Sequence, residues 1–245
     1  MTPQFVQRAV RVGWGGVVVV GGYAAVAGLL LAGAWLTQVL GYPEVASRLP
    51  WYLSRAAGVT AYLLLSATTL LGLAVSTRIA DRVITRPAVF GLHEYLAWLG
   101  LAATGLHLGG LMADTYLSFG VIDIAVPFAA PYRPGAVALG IVGLYLSAVL
   151  TGSFYVRGRL GQRTWRALHT TSFVAYVLAT GHGILAGTST TQLWMQWLYL
   201  LSGGAVLFLT NYRLLLVTRT RVERTTRTSS PPTARSTVGE PAGRA

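Results

Sequence analysis

The sequence predicts an all-α integral membrane protein that forms a six-helix bundle. The first observation is composition, because 53% of the 245 residues are hydrophobic and only 11% are charged. A soluble domain carries about 25% charged residues, so this chain cannot cover a globule of its size with ionised side chains. The second observation is that the apolar residues form long continuous runs rather than an alternating pattern, which excludes a membrane β-barrel. Together these observations exclude an ordinary soluble enzyme.

Six stretches are long and apolar enough to cross a bilayer as helices, which takes about 20 residues each. Arg8 and Arg11 precede the first stretch as in a signal peptide, but its apolar run exceeds the roughly 7–15 residues of a signal core, so we interpret it as a helix. Glycine is frequent, as expected where helices approach each other closely in lipid. The third stretch contains Glu94, the only acidic residue in the six. The predicted spans are 14–40, 56–77, 88–113, 135–156, 167–187 and 192–212.

The segments between the spans predict the orientation. The chain has a net charge of +12, and all nineteen basic residues are arginines. Sixteen arginines lie on one side of the predicted bundle, and only Arg48, Arg55 and Arg133 lie on the other. Positive charge marks the cytoplasmic side, so we expect both termini in the cytoplasm and the chain in the plasma (inner) membrane. Because the arginines fall between apolar runs, lipid is the expected partner and nucleic acid is not.

The spans divide the chain into three parts. Residues 1–13 form a cytoplasmic N-terminus, 14–217 the six-helix transmembrane domain, and 218–245 a basic tail rich in Thr, Ser and Pro that we expect to be disordered. The outer connection 114–134 is apolar but too short to span. We expect it to lie at the membrane interface or to re-enter the membrane.

Four histidines carry the functional prediction. His93 and His107 lie on the third span, and His169 and His182 lie on the fifth. Ionisable groups at membrane depth are costly and indicate function. The third and fifth spans run in the same direction, so His93 pairs in depth with His169 near the cytoplasm, and His107 with His182 near the outer face. Separations of fourteen and thirteen residues place the two levels about 20 Å apart. Two levels of paired imidazoles favour two stacked haems, each held from both sides.

The residues between the histidines support this interpretation. The third span has Ala97, Gly100 and Thr104 on the histidine face, and small side chains would leave a slot for flat macrocycles. The matching positions on the fifth span are Ser172, Ala175 and Ala179. One geometric difficulty lies on the fifth span, because thirteen residues turn a helix about 140° away from the starting face. We therefore expect that span to tilt or distort, with Gly181 and Gly183 as the sites that permit it.

Other functions fit intramembrane histidines. They can bond a neighbouring helix or serve a cofactor-free proton relay or transporter. Copper is less favoured, because the chain has no cysteine and no cluster of methionines near the histidines. The absence of cysteine also excludes covalent haem attachment through a CxxCH motif.

The sequence resembles the ferric reductase-like transmembrane family, which includes ferric reductases, the membrane part of NADPH oxidases and the haem subunit of bacterial methionine-sulfoxide repair systems. The resemblance covers roughly the second to sixth spans. It rests on the segments Gly91-Leu-His93-Glu with Gly105-Leu-His107, and Arg163-Thr-Trp-Arg-Ala-Leu-His169 with Gly181-His182-Gly183. The stretches that begin at Arg55-Ala-Ala-Gly58 and Val126-Pro-Phe also look like bacterial members.

The resemblance implies two b-type haems on His93, His107, His169 and His182, which carry electrons across the membrane as in a cytochrome b. Ferric reductases and NADPH oxidases commonly carry a flavin and nicotinamide domain after the last span, but residues 218–245 contain no glycine-rich nucleotide fingerprint, so we expect the donor to be a separate cytoplasmic flavoprotein or quinol. The acceptor at the outer face would be ferric iron or a periplasmic reductase, among other oxidants. Haem propionates are anions that favour arginine, and Arg55 is the residue we expect to bind them.

Overall fold

The computed structural model describes residues 43–77, 79, 85–117 and 119–229, together with positions 28, 32, 35, 39 and 41. These residues contain helices and no strand, which confirms the all-α prediction for the described part of the chain. The helices are α1 (Pro43–Thr77), α2 (Arg86–Ala113), α3 (Val121–Ala125), α4 (Pro134–Leu160), α5 (Gln162–Thr170), α6 (Ser172–Ala186) and α7 (Leu193–Ser229).

Four described helical segments are long and apolar enough to cross a membrane: Ser47–Thr77, Arg86–Ala113, Pro134–Leu160 and Leu193–Leu216. They correspond to the second, third, fourth and sixth predicted spans. The first predicted span, 14–40, lies outside the described residues except for positions 28, 32, 35 and 39, which are helical. The chain is therefore a helical protein with the apolar helices of a membrane protein.

Helix α1 begins earlier than the sequence predicted. It starts at Pro43 rather than at residue 56, so Arg48 and Arg55 belong to the helix and not to a preceding loop. Proline is favoured in the first helical turn, and Glu44 in that turn complements the helix dipole. The predicted start was wrong because we took the charges of Arg48 and Arg55 to mark a loop. Long arginine side chains are compatible with a helix near a membrane surface, since the charged group can reach water.

The predicted fifth span is not one helix. The structure divides it into α5 and α6, with the break at Thr171. The hydroxyl of Thr170 donates to the carbonyl of Ala167, and the hydroxyl of Thr171 donates to the carbonyl of Leu168. Such bonds back into the preceding turn bend helices. The distortion that we expected at Gly181 and Gly183 therefore lies instead between the two histidines of this span.

Helix α7 is longer than the sixth predicted span and continues to Ser229. Residues 218–229, which we expected to be disordered, are helical in the structure, and residues 230–245 lie outside the described part. Between Gly204 and Pro231 the sequence has neither glycine nor proline, so no residue there stops the helix.

Helices α1, α6 and α7 meet at a buried aromatic cluster. It contains Tyr62, Leu73, Tyr176 and Val206. The Tyr62 hydroxyl lies 2.7 Å from the Ser202 hydroxyl and 3.3 Å from that of Tyr176, which ties the three helices together. Polar groups inside an apolar bundle need such partners, because no water is available to them.

Large apolar side chains cover much of the outer surface. On α7, Leu200, Leu201, Leu207 and Phe208 are each 62–68% exposed. A helix that presents such residues outward fits lipid better than water.

The connection between α2 and α4 is also apolar and exposed. Val121 and Ile122 of α3 and the nearby Phe128 are 64–72% exposed. The Tyr145 hydroxyl of α4 donates to the carbonyl of Ala125 and holds this segment against the side of α4. Its placement at the membrane interface stays a prediction.

Candidate functional site

The four histidines form the two pairs that the sequence predicted. The imidazole centroids of His93 and His169 are 6.1 Å apart, with an angle of 65° between the ring planes. Those of His107 and His182 are 6.3 Å apart, at 74°. In each pair, one ring belongs to α2 and the other to α5 or α6. The fourteen residues from His93 to His107 separate the two pairs by about 21 Å along α2.

The spacing within each pair fits a single metal centre between two imidazoles. An imidazole nitrogen binds a metal ion at about 2 Å, and the ring centroid lies about 1 Å behind that nitrogen, so two rings on opposite sides of one ion have centroids about 6 Å apart. The observed 6.1 and 6.3 Å agree with this value. Among the described residues, no group of three or more His, Cys, Asp or Glu side chains could hold a metal. Each pair supplies two imidazoles, which is the number of protein ligands that a haem iron held by two histidines takes.

Three of the four histidines have their ring orientation fixed by a backbone carbonyl. His93 Nδ1 lies 3.0 Å from the carbonyl oxygen of Thr68, and His182 Nδ1 lies 2.9 Å from that of Ala136. His107 Nδ1 lies 2.8 Å from the carbonyl oxygen of Ser54. A carbonyl only accepts, so Nδ1 must carry the proton and Nε2 keeps its lone pair. Metal-bound histidines use this arrangement, in which the second nitrogen donates to a carbonyl or carboxylate.

A glycine lies beside each of these three rings. A β-carbon built on Gly58 would be 3.0 Å from His107 Nδ1, one on Gly72 would be 3.3 Å from His93 Cε1, and one on Gly140 would be 2.7 Å from His182 Nδ1. A β-carbon at Gly140 would force the ring to shift, and one at Gly58 or Gly72 would require the ring to move by a few tenths of an ångström. The glycines therefore let the imidazoles reach the surface of the neighbouring helix.

The carbonyl and the glycine form a repeated unit, which we call the carbonyl–glycine cradle. In each copy the carbonyl belongs to residue i and the glycine is residue i+4: the copies are Ser54 with Gly58, Thr68 with Gly72, and Ala136 with Gly140. In an α-helix, residue i+4 lies directly above the carbonyl of residue i, so a glycine there uncovers that carbonyl. The two cradles on α1 are fourteen residues apart, the same spacing as the two histidines on α2.

His169 has no cradle. Its Nδ1 is buried and has no hydrogen-bond partner. The ring instead stacks on the indole of Trp165, with centroids 5.1 Å apart and ring planes at 21°. The break at Thr171 places His169 and His182 on different helices, which removes the geometric difficulty of a thirteen-residue separation on one helix.

A cavity of about 3130 Å³ connects the two pairs, and all four histidines line it. Small-molecule pockets usually have about 300–1,000 Å³, so this cavity has room for more than one large ligand. The small residues predicted to form the slot line it as well: Ala97, Gly100, Thr104, Ser172, Ala175 and Ala179. All six residues that the sequence placed on the histidine faces therefore line this cavity.

Arginines line both ends of the cavity. Arg55 lies at the end nearer His107, where its guanidinium stacks over Trp51 at 4.3 Å and donates to the Ser189 hydroxyl at 2.5 Å. The other end, nearer His93, is lined by Arg86, Arg157, Arg159, Arg166 and Arg213. Both ends of the cavity can therefore receive anionic groups.

Trp98, Phe173 and Tyr176 lie between the two histidine levels in sequence, but they do not all face the cavity. Phe173 lines the cavity. Tyr176 is buried in the aromatic cluster, and Trp98 donates to the Tyr155 hydroxyl, which in turn donates to Glu94. Of these three aromatic residues, only Phe173 is therefore a cavity-lining residue.

Sequence reasoning missed the cradles and the stacking role of Trp165. The signal for two cradles was present, because Gly58 and Gly72 repeat the fourteen-residue spacing of His93 and His107. No sequence signal identified the carbonyls, since any residue supplies one.

The fold and the site define a class of protein in broad terms: a helical protein with membrane-length apolar helices and two histidine pairs in one elongated cavity. No family model, curated protein or solved structure matches the chain.

Proposed function

We propose that the protein carries electrons across the membrane through two non-covalent b-type haems. His93 and His169 would hold one haem, and His107 and His182 the other. The observation that carries the proposal is the pair of imidazole separations, 6.1 and 6.3 Å, at two levels of one cavity. The resemblance to ferric reductase-like proteins adds to it.

The chemistry that haem supplies when bound is reversible one-electron transfer at iron. His93 with His169, and His107 with His182, would each hold one haem, which would leave its iron no free position for substrate and would favour electron transfer over reaction at the metal. The cradles keep the imidazoles of His93, His107 and His182 in one tautomer and make them more basic ligands. The small side chains along the cavity leave space for flat rings.

Direction follows from the arginine distribution. If the arginine-rich side is cytoplasmic, the His93 level is the inner one and receives electrons from a cytoplasmic flavoprotein or from quinol. The His107 level is then the outer one and delivers electrons to an acceptor such as ferric iron or a periplasmic reductase. In this proposal the chain is the membrane subunit of an oxidoreductase in the plasma membrane, with both termini cytoplasmic.

Arg55 is the proposed partner of a haem propionate at the outer level. Its guanidinium is held by Trp51 and Ser189 and lines the cavity. A planar guanidinium suits a carboxylate because it donates two parallel hydrogen bonds.

The test is a reduced-minus-oxidised absorbance spectrum of the detergent-purified protein, with haem quantified per chain. We expect a b-type spectrum and about two haems. A protein that contains no haem, from cells able to supply it, would overturn the proposal and leave the histidines to a proton relay or transporter.

Single histidine variants test the pairing. His93→Ala and His169→Ala should remove the same haem signal, and His107→Ala and His182→Ala should remove the other. The ligand assignment would be wrong if the two variants of one pair removed different haem signals. It would also be wrong if all four variants kept the haem content of the unaltered protein.

A further inference from the structure

The described residues contain three buried side-chain atoms without a hydrogen-bond partner: Thr68 Oγ1, Trp165 Nε1 and His169 Nδ1. All three belong to the His93–His169 level. Thr68 supplies the carbonyl that orients His93, and Trp165 stacks on His169. Buried polar atoms without partners are rare, so their grouping at one level distinguishes that level from the other.

The two histidine levels differ mainly in the surroundings of the His169 ring. The other three imidazoles each have a carbonyl acceptor and a glycine beside the ring, whereas His169 has neither. It is also the next-to-last residue of α5, a helix of nine residues that ends at the Thr171 break. Its backbone therefore lies where the helix is weakest.

Trp165 is the group that contacts the His169 ring. The two residues are four positions apart on α5, which places them on the same helix face. Their planes are nearly parallel, at 21°, and the centroids are 5.1 Å apart. Because His169 Nδ1 has no acceptor, this stacking is the interaction that fixes the plane of the ring.

We propose that Trp165 is the positioning residue of His169 and that His169 is the one ligand of the site whose position depends on a single neighbouring side chain. This proposal rests on the proposed function, because it concerns a haem ligand. The indole face holds His169 where a carbonyl–glycine cradle holds each of the other three. Loss of the indole face would release His169 and open one coordination position at the His93 level, while the His107 level stays closed.

Carbon monoxide is a direct probe, because it binds reduced haem only where an axial position is open. The variants are Trp165→Ala, which removes the stacking face, and Trp165→Phe, which keeps an aromatic face without the unpartnered N–H group. Trp98→Ala is the matched control, since Trp98 bonds Tyr155 and stacks on no histidine ring within the described part of the chain. Should Trp165→Ala not accumulate, Trp165→Leu fills more of the space without an aromatic face and takes its place.

We expect Trp165→Ala to bind carbon monoxide at about one haem per chain, or to lose the His93-level haem alone. Loss of an orienting group next to a metal ligand typically weakens metal binding about 10- to 100-fold. The unaltered protein, Trp165→Phe and Trp98→Ala should keep two haems and bind little carbon monoxide. Trp165→Ala with two haems and no carbon monoxide binding, or equal effects in Trp98→Ala, would overturn this proposal. Absence of haem from the unaltered protein would instead overturn the proposed function.

Discussion

Gly140 lies so close to His182 that a β-carbon on Gly140 would be 2.7 Å from the imidazole Nδ1. No real side chain tolerates that distance without movement. The neighbouring atoms belong to a ring whose Nδ1 lies 2.9 Å from the Ala136 carbonyl. Substitution at Gly140 must therefore move His182 or separate α4 from α6.

Gly140→Ala should weaken or abolish binding of the haem at the His107–His182 level and leave the other haem in place. The expected cost is that of overpacking a filled site, about 1–3 kcal/mol. Haem content per chain and the reduced-minus-oxidised spectrum measure the effect.

The control is Gly152→Ala, on the same helix, where an added β-carbon would meet nothing within 4 Å. Alanine is a better helix former than glycine, so this variant should keep two haems and be slightly more stable, by about 0.5–1 kcal/mol. Equal haem loss in both variants would mean that α4 tolerates no substitution and that Gly140 has no special relation to His182.

The two cradles on α1 should show a graded response. Gly58→Ala would place its β-carbon 3.0 Å from His107 Nδ1, and Gly72→Ala would place it 3.3 Å from His93 Cε1. We expect less haem loss at Gly58 than at Gly140, and the least at Gly72, because the shift required of the ring decreases in that order. Haem content of the three variants, with Gly109→Ala as a control in open space, measures the order.

A reversed order would contradict this prediction. It would mean that the neighbours of α1 move less easily than those of α4 when a side chain is added. The distance from the added β-carbon to the imidazole would then not determine how much haem is lost.

Apolar periodicity and length predicted the long helices well, because burial in lipid determines them. The prediction failed at helix ends and breaks, because local hydrogen bonds determine where a helix ends or is interrupted. Thr170 and Thr171 interrupt the fifth span through hydroxyl bonds to the preceding turn, which no hydropathy pattern reports. Arg48 and Arg55 looked like loop residues only because charge was taken as the end of the helix.

The histidine pairs were predictable because depth in a helix follows directly from residue spacing. The cradles were not, since a carbonyl leaves no mark in the sequence and a glycine has many uses in a membrane helix. The stacking of Trp165 on His169 needed the structure as well, because the i, i+4 spacing alone does not say which side chains touch.

Ser54 supports His107 in two ways that mutation can separate. Its backbone carbonyl accepts from Nδ1, while its hydroxyl donates to the His107 carbonyl at 3.0 Å and lies 3.0 Å from Nδ1. Ser54→Ala removes only the hydroxyl. We expect two haems to remain and the free energy of unfolding to fall by about 1 kcal/mol, the net value of a typical hydrogen bond.

Ser54→Val should be far more damaging than Ser54→Ala. A β-carbon on Gly110 would be 2.8 Å from the Ser54 Cβ, so the two helices are already in close contact there. Thermal unfolding in detergent and haem content measure both variants. If valine were tolerated as well as alanine, the close approach of α1 and α2 at this point would not be needed for the site.

Arg55→Gln should lower the midpoint potential of one haem and leave the other unchanged. Removal of a positive charge beside a propionate makes an added electron less favourable, because the propionate charge is no longer compensated. Arg55→Lys should produce a smaller shift, since the charge remains but the two-pronged hydrogen-bond geometry is lost. A spectroscopic redox titration resolves the two haems and measures each potential.

Arg133→Gln is the matched control for Arg55→Gln. Arg133 lies on the same predicted side of the membrane but bonds the Leu185 carbonyl and lies beside Tyr132, and it is not among the cavity-lining residues. It should leave both potentials unchanged. A shift of both haems by Arg55→Gln, or an equal shift in Arg133→Gln, would indicate a general surface-charge effect, and Arg55 would then have no propionate to bind.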